Sequence, residues 1–309
     1  MSKNYQKKKS YGWFWAVGVA VVLVLFFLLI RSGNETKNSD EYLTPVSSIN
    51  DVHGLVVDVS DSSKVWIASH TGLHLLKDDK ELFVVGSARD DYMGFSVHPS
   101  DASTFFSSGH PAGGGNIGFQ KTTDVGRNWQ KVSNGASGPV DFHNMTVSWV
   151  DPNLIYGLYR GGLQKSVDGG QTWEIVDSSL KDQQVISLTA DTKERDTIYV
   201  STNGAGILVS KDQGKNWSAL TDSLGGDAVT ALAVNPANNQ ELLAFGQQLG
   251  LAKSGDGGES WSRLDAPWAS SMVMYFSYDK NKPTVVYAIT RNLEIYKTTD
   301  GGSSWNKVR

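Results

Sequence analysis

A chain of 309 residues with 32 Gly and 10 Trp has room for one large domain, rich in turns and in broad packing side chains. It contains no Cys, which excludes a disulfide framework and any thiolate metal site. The formal net charge is −4; beyond residue 31 it is −9, with 23 basic against 32 acidic residues, and so acidic a remainder excludes nucleic acid as a natural partner.

Lys3, Lys7, Lys8 and Lys9 precede an uncharged run from Tyr11 to Ile30 that Arg31 closes. Twenty helical residues cover about 30 Å, the hydrocarbon thickness of a bilayer. The lysines and the Trp13–Phe14–Trp15 cluster predict residues 1–10 as a cytoplasmic basic tail and 11–31 as a transmembrane signal-anchor helix. The competing reading is a cleaved signal peptide, but no small-x-small site follows Ile30. Either way the remainder is expected outside the cytoplasmic membrane. The anchor reading makes it a single-pass cell-membrane protein. Residues 32–50, rich in Ser, Asn, Asp and Thr, read as a linker with one short strand near its end, a candidate closing strand for the fold.

From residue 51 to 309 six units align. Their first strands are expected near His53–Val59, Met93–Val97, Met145–Ser148, Val185–Thr189, Val229–Val234 and Met272–Tyr278, and each is followed by a polar turn and a second strand. Five units then carry Ser/Thr-x-Asp-x-Gly-x-x-Trp. The copies hold Asp124 and Trp129, Asp168 and Trp173, Asp212 and Trp217, Asp256 and Trp261, and Asp300 and Trp305, with successive aspartates 44 residues apart. A period in the forties with four short strands predicts a six-bladed all-β propeller of four-stranded antiparallel blades, seven if one unit escapes the count. Unit 1 has Lys77-Asp78-Asp79-Lys80-Glu81 at the equivalent place, read as a plain charged hairpin. Unit 2 carries an insertion, Gly109 to Asn116, too long for a tight turn.

Each repeated residue type has a mechanical role. The Asp carboxylate accepts backbone N–H bonds within its own turn, the Gly takes a conformation that a Cβ resists, and the Trp opens the fourth strand with a large apolar plate. The pattern resembles the Asp-box (BNR) repeat of sialidases, sortilin-type receptors and related propellers. That resemblance implies a structural turn and not a catalytic Asp.

In such a blade the Asp turns share one face with the first-to-second loops. The second-to-third and blade-to-blade loops share the other. His53 and His143 start first strands and His70 and His110 end second strands, so all four are expected on the face opposite the Asp turns, in units 1 to 3. His74 lies inside a strand and His98 on the Asp-turn side. With Asp141 two residues before His143 and Asp90–Asp91 nearby, the four imidazoles are candidates for a divalent metal, for acid–base chemistry or for ligand hydrogen bonds. The bland alternative is four separate loop residues. Arg89, Arg160 and Arg291 map to the same face and are further ligand-binding candidates. Asp91 and Asp141 are the only candidates for a glycosidase carboxylate pair.

Whole segments, among them Val52-His53-Gly54-Leu55, Met93-Gly94-Phe95-Ser96-Val97 and Val140-Asp141-Phe142-His143, resemble bacterial exported propellers of the sialidase-like "glycosyl hydrolase" group. The photosystem II assembly factor is a similar propeller that scaffolds other proteins. The chain lacks the Arg-Ile-Pro motif and an evident Tyr/Glu nucleophile pair of sialidases. The expectation is therefore a ligand- or protein-binding scaffold module for an envelope protein or glycan. The alternatives are a sialidase-like glycoside hydrolase and a metal-binding propeller.

Overall fold

The computed structural model describes Met1, residues 42–176, Leu180, residues 182–268 and residues 271–309. The span read over residues 11–31 lies outside the described residues. Among those described, no helix is long and apolar enough to cross a membrane. The propeller unit runs from Tyr42 to Arg309, so it begins nine residues before the boundary that the repeats suggest.

Among the described residues six blade sheets follow one another along the chain, and the first of each blade's four consecutive strands is innermost. Blade 3 is typical: Asn144–Val147, Ile155–Tyr159, Gly162–Ser166 and Glu174–Ile175 pair in sequence order, all antiparallel. Among the described residues six blades are present, not seven. Six clusters of buried apolar side chains hold the ring, each built from two neighbouring blades. One joins Phe106 and Phe119 of blade 2 to Phe142 and Met145 of blade 3, and another joins Val65 and Ile67 of blade 1 to Tyr287 and Ile289 of blade 6. Because both faces of a blade are covered, the inner strand of blade 5, Val229–Val234, is buried throughout, whereas Asn144–Val147 of blade 3 alternates buried with half-buried residues.

Four of the five Asp turns share one bonding scheme, and the Asp124 turn shares all of it but the indole bond. Around Asp168, the Ser166 hydroxyl donates to the carboxylate at 2.8 Å and accepts the Gly170 amide at 2.8 Å, while the Thr172 amide donates to the carboxylate at 2.9 Å. The Trp173 indole donates to the Gly170 carbonyl at 3.0 Å. Gly170, at φ 88°, is needed twice over: a Cβ there would lie 1.9 Å from the Phe119 ring of blade 2. These hydrogen bonds hold Asp168, Asp212, Asp256 and Asp300 at about 2, well below an ordinary carboxylate. A depressed folded pKa means that the unfolded chain takes up protons first as pH falls. Thermal stability is expected to hold above pH 5 and to drop between pH 4 and 2. A melting temperature flat across that window would show that the turns do not stiffen the ring.

The ends of the propeller meet without a shared strand. Leu43–Pro45 adds a fifth strand to blade 1, on its outer edge against Glu81–Val85. The blade 1 hairpin turns through Asp78 and Asp79, both left-handed at φ 53° and 59°. The Asp79 carboxylate accepts from the Tyr287 hydroxyl at 2.6 Å and the Lys297 ammonium at 2.7 Å, both on blade 6. Lys165 of blade 3 reaches the Asp turn of blade 4 in the same way, at Gln213 Oε1 (2.8 Å). Ring closure therefore repeats the joint used between neighbouring blades.

Candidate functional site

The central cavity holds about 200 Å³ and is lined by the first strands of all six blades. On the Asp-turn face, Lys280 lines it and donates to the Pro99 carbonyl of blade 2 at 2.6 Å, reaching past blade 1. At the other mouth stand His53 and His143.

The structure gathers the four predicted imidazoles into two neighbouring groups. In the first, His53 and His70 lie with ring centroids 4.4 Å apart. His70 Nε2 is 3.3 Å from Asp51 and its Nδ1 3.3 Å from Asp91, while His53 Nε2 stands 3.6 Å from Asp91. In the second, Asp141 Oδ2 meets His110 Nε2 at 2.9 Å and His143 Nε2 at 2.8 Å. Burial lowers the pKa of His53, and Asp91 beside it pulls the other way. His143 is near enough to add to the lowering, so the groups share one electrostatic environment.

Local structure explains the placement. The first strand of blade 1 shifts register between Val52 and Gly54, which leaves His53 as the unpaired residue of a bulge and re-aims its side chain. The blade 2 insertion is more than a loop: Gly109–His110 pairs with Asp91–Tyr92 in a two-stranded ladder, with His110 opposite Asp91. The first strand of blade 2 shortens accordingly to Ser96–Val97. Phe142, fully buried, donates its amide to the Ser108 hydroxyl at 2.9 Å and accepts the Gly94 amide at 2.5 Å. Asp141 and His143 are thereby fixed on either side of it.

Sequence reasoning missed Asp51 as a member of this group. The signal was present: Asp51-Val52-His53 and Asp141-Phe142-His143 repeat the same Asp-x-His at the entry to a first strand, and Asp91-Tyr92-Met93 stands at the equivalent place in blade 2. Blades 4 to 6 have Gln184 and Ile186, Ala228 and Thr230, and Met272 and Met274 there. At these two positions ionisable side chains thus occur only in blades 1 to 3.

The three arginines make other contacts. Arg89 donates to the Gly86 and Ala88 carbonyls at 3.1 and 2.7 Å. Arg160 sits over the Tyr159 ring at 5.1 Å, and the Arg291 amide donates to the Met272 carbonyl at 2.8 Å. Among the described residues none of the three forms an ion pair with the rim carboxylates. His74 is buried in blade 1 beside Ser69, and burial lowers it to about 4, so it is a neutral core residue. His98 accepts the Ser100 and Asp101 amides on the Asp-turn face.

No family model matches the chain, and no curated protein matches it. Solved structures do. The GH74 xyloglucanase from Xanthomonas campestris aligns with a TM-score of 0.60 and 17% identity, over 86% of this chain and 46% of that one. YCF48 from Cyanidioschyzon merolae aligns at 0.57 and 13% over 86% and 88%, and YCF48 bound to a D1 peptide at 0.56 and 12% over 86% and 84%. At such identities the likeness shows the propeller fold alone. The chain spans 37–46% of the length of the GH74 structures.

Proposed function

We propose that this chain is a membrane-tethered, extracytoplasmic propeller of the Asp-box type. It acts as a binding module that engages a protein partner through the rim carrying His53, His70, His110, Asp141 and His143. The carrying observation is the concentration of four imidazoles and three carboxylates on one half of one rim, at a channel mouth, while the opposite face is spent on structural turns. Among proteins of this fold, YCF48 has been seen with a peptide bound and the GH74 enzyme is a xyloglucanase. The binding reading is favoured because Asp51, Asp91 and Asp141 each face an imidazole. A glycosidase needs two carboxyl groups left free to flank a sugar.

The test is photo-crosslinking of the full chain in membranes of the producing cell. A photoreactive residue replaces Ala112 on the histidine face in one variant and Gln171, in an Asp turn, in the other; both positions are exposed. A partner captured from position 112 and not from 171 is the expected outcome. Capture from 171 alone, or from neither, would overturn the reading.

A further inference from the structure

The carboxylate of Asp141 is the most buried ionisable group of the histidine cluster, its side chain 7% exposed. Its Oδ2 faces two imidazole nitrogens, and its Oδ1 is buried with no hydrogen-bond partner. Burying half a carboxylate unpaired is costly unless something compensates the charge.

His110 sharpens the point. Its Nδ1 lies 2.7 Å from the Gly115 carbonyl, an oxygen that can only accept, so the Nδ1 carries the proton. A neutral ring then has a bare lone pair on Nε2, and that lone pair is aimed at Asp141 Oδ2 from 2.9 Å. Two electron pairs at that distance repel unless a proton or a metal ion lies between them. An Nδ1–H held by a backbone carbonyl is also the usual way a metal-ligating histidine is oriented.

We propose that His110 Nε2, His143 Nε2 and Asp141 bind a divalent first-row transition ion of the zinc class. The inference rests on the reading of this rim as a ligand-binding surface and names what it holds. All three donor atoms lie within 4.8 Å of one another. A tetrahedral ion with bonds near 2.0–2.1 Å wants its ligands about 3.3 Å apart, so the group opens by about half an ångström on loading. His143, whose side chain is 63% exposed, is free to make that movement. Two nitrogens and one oxygen with no sulfur suit Zn²⁺, Co²⁺, Ni²⁺ or Cu²⁺ over Ca²⁺ or Mg²⁺. Three protein ligands leave a coordination position open toward solvent, where a carboxylate or imidazole of a partner could enter. The neighbouring group, Asp51, His53 and His70, is looser: Asp51 is 67% exposed and its contact to His70 is 3.3 Å.

Metal-depleted full chain titrated with Zn²⁺ by calorimetry, with Co²⁺ absorption as a second readout, tests the site without any partner. Saturable binding is expected, weakened about tenfold or more in His143→Ala and Asp141→Asn and retained in His70→Ala and His98→Ala. If Asp141→Asn does not fold, the exposed His143→Ala carries the result. No saturable binding, or binding that survives His143→Ala or is abolished by His70→Ala, overturns the assignment. Because crosslinking reports the partner surface and calorimetry the ion, failure of one is distinguishable from failure of the other.

Discussion

Replacing Phe142 by Ala is expected to lower the unfolding free energy by about 3–5 kcal/mol, the usual range for emptying a large aromatic site in a core. The ring is fully buried and lies 4.8 Å, centroid to centroid, from Trp173 of the same blade. It also packs flat on Gly157, where a Cβ would come within 2.5 Å of it, so the backbone of the second strand has been stripped to make room. Little can slide into the vacated space, because Gly157 has no side chain to do so and the flanking segment is pinned through the Ser108 hydroxyl and the Gly94 amide. Phe142→Leu should recover much of the loss, since it refills most of the volume. Denaturant unfolding of the three proteins decides the matter; a loss under 1 kcal/mol for the Ala variant would mean that the site collapses freely. Because Asp141 and His143 flank this residue, Zn²⁺ affinity should fall in the Ala variant as well.

The second large effect is expected at the seam between blades 1 and 6. Asp79→Ala removes the acceptor of the Tyr287 hydroxyl and the partner of Lys297. Stranding such a donor costs about 1–3 kcal/mol. Ala at φ 59° adds about 1 kcal/mol of strain that Asp tolerates better. The sum is about 2–4 kcal/mol. Asp79→Asn keeps the turn preference and the acceptor oxygen and loses only a partly exposed ion pair, worth about 1 kcal/mol or less. Equal midpoints for the Ala and wild-type chains would show that the apolar seam closes the ring alone.

How much of this was legible beforehand varied with the kind of signal. The 44-residue spacing of Asp124, Asp168, Asp212, Asp256 and Asp300 is enforced by blade geometry, so five blades and their strand order could be read directly, while the sixth rested on aligning unit 1 and a seventh stayed open. The gathering of His53, His70, His110 and His143 followed from topology, since strand ends of a given parity must share a face. Their grouping into pairs did not follow, because it depends on a bulge at His53 and a ladder between Asp91–Tyr92 and Gly109–His110 that no periodicity announces. Leu43–Pro45 was anticipated only as a short closing strand; its place on the outer edge of blade 1 is set by pairing with Val84 and its neighbours, a contact without local signature. Arg89 and Arg160 shared the face but satisfy their own loops, which the sequence could not show.

Each blade is one uninterrupted stretch of polypeptide, and the weld between last and first is chemically the fastening used elsewhere, a third-strand lysine on the next blade's corner. An ancestor could therefore have gained or lost a whole module by one in-frame duplication or deletion, with no strand forced to change partners.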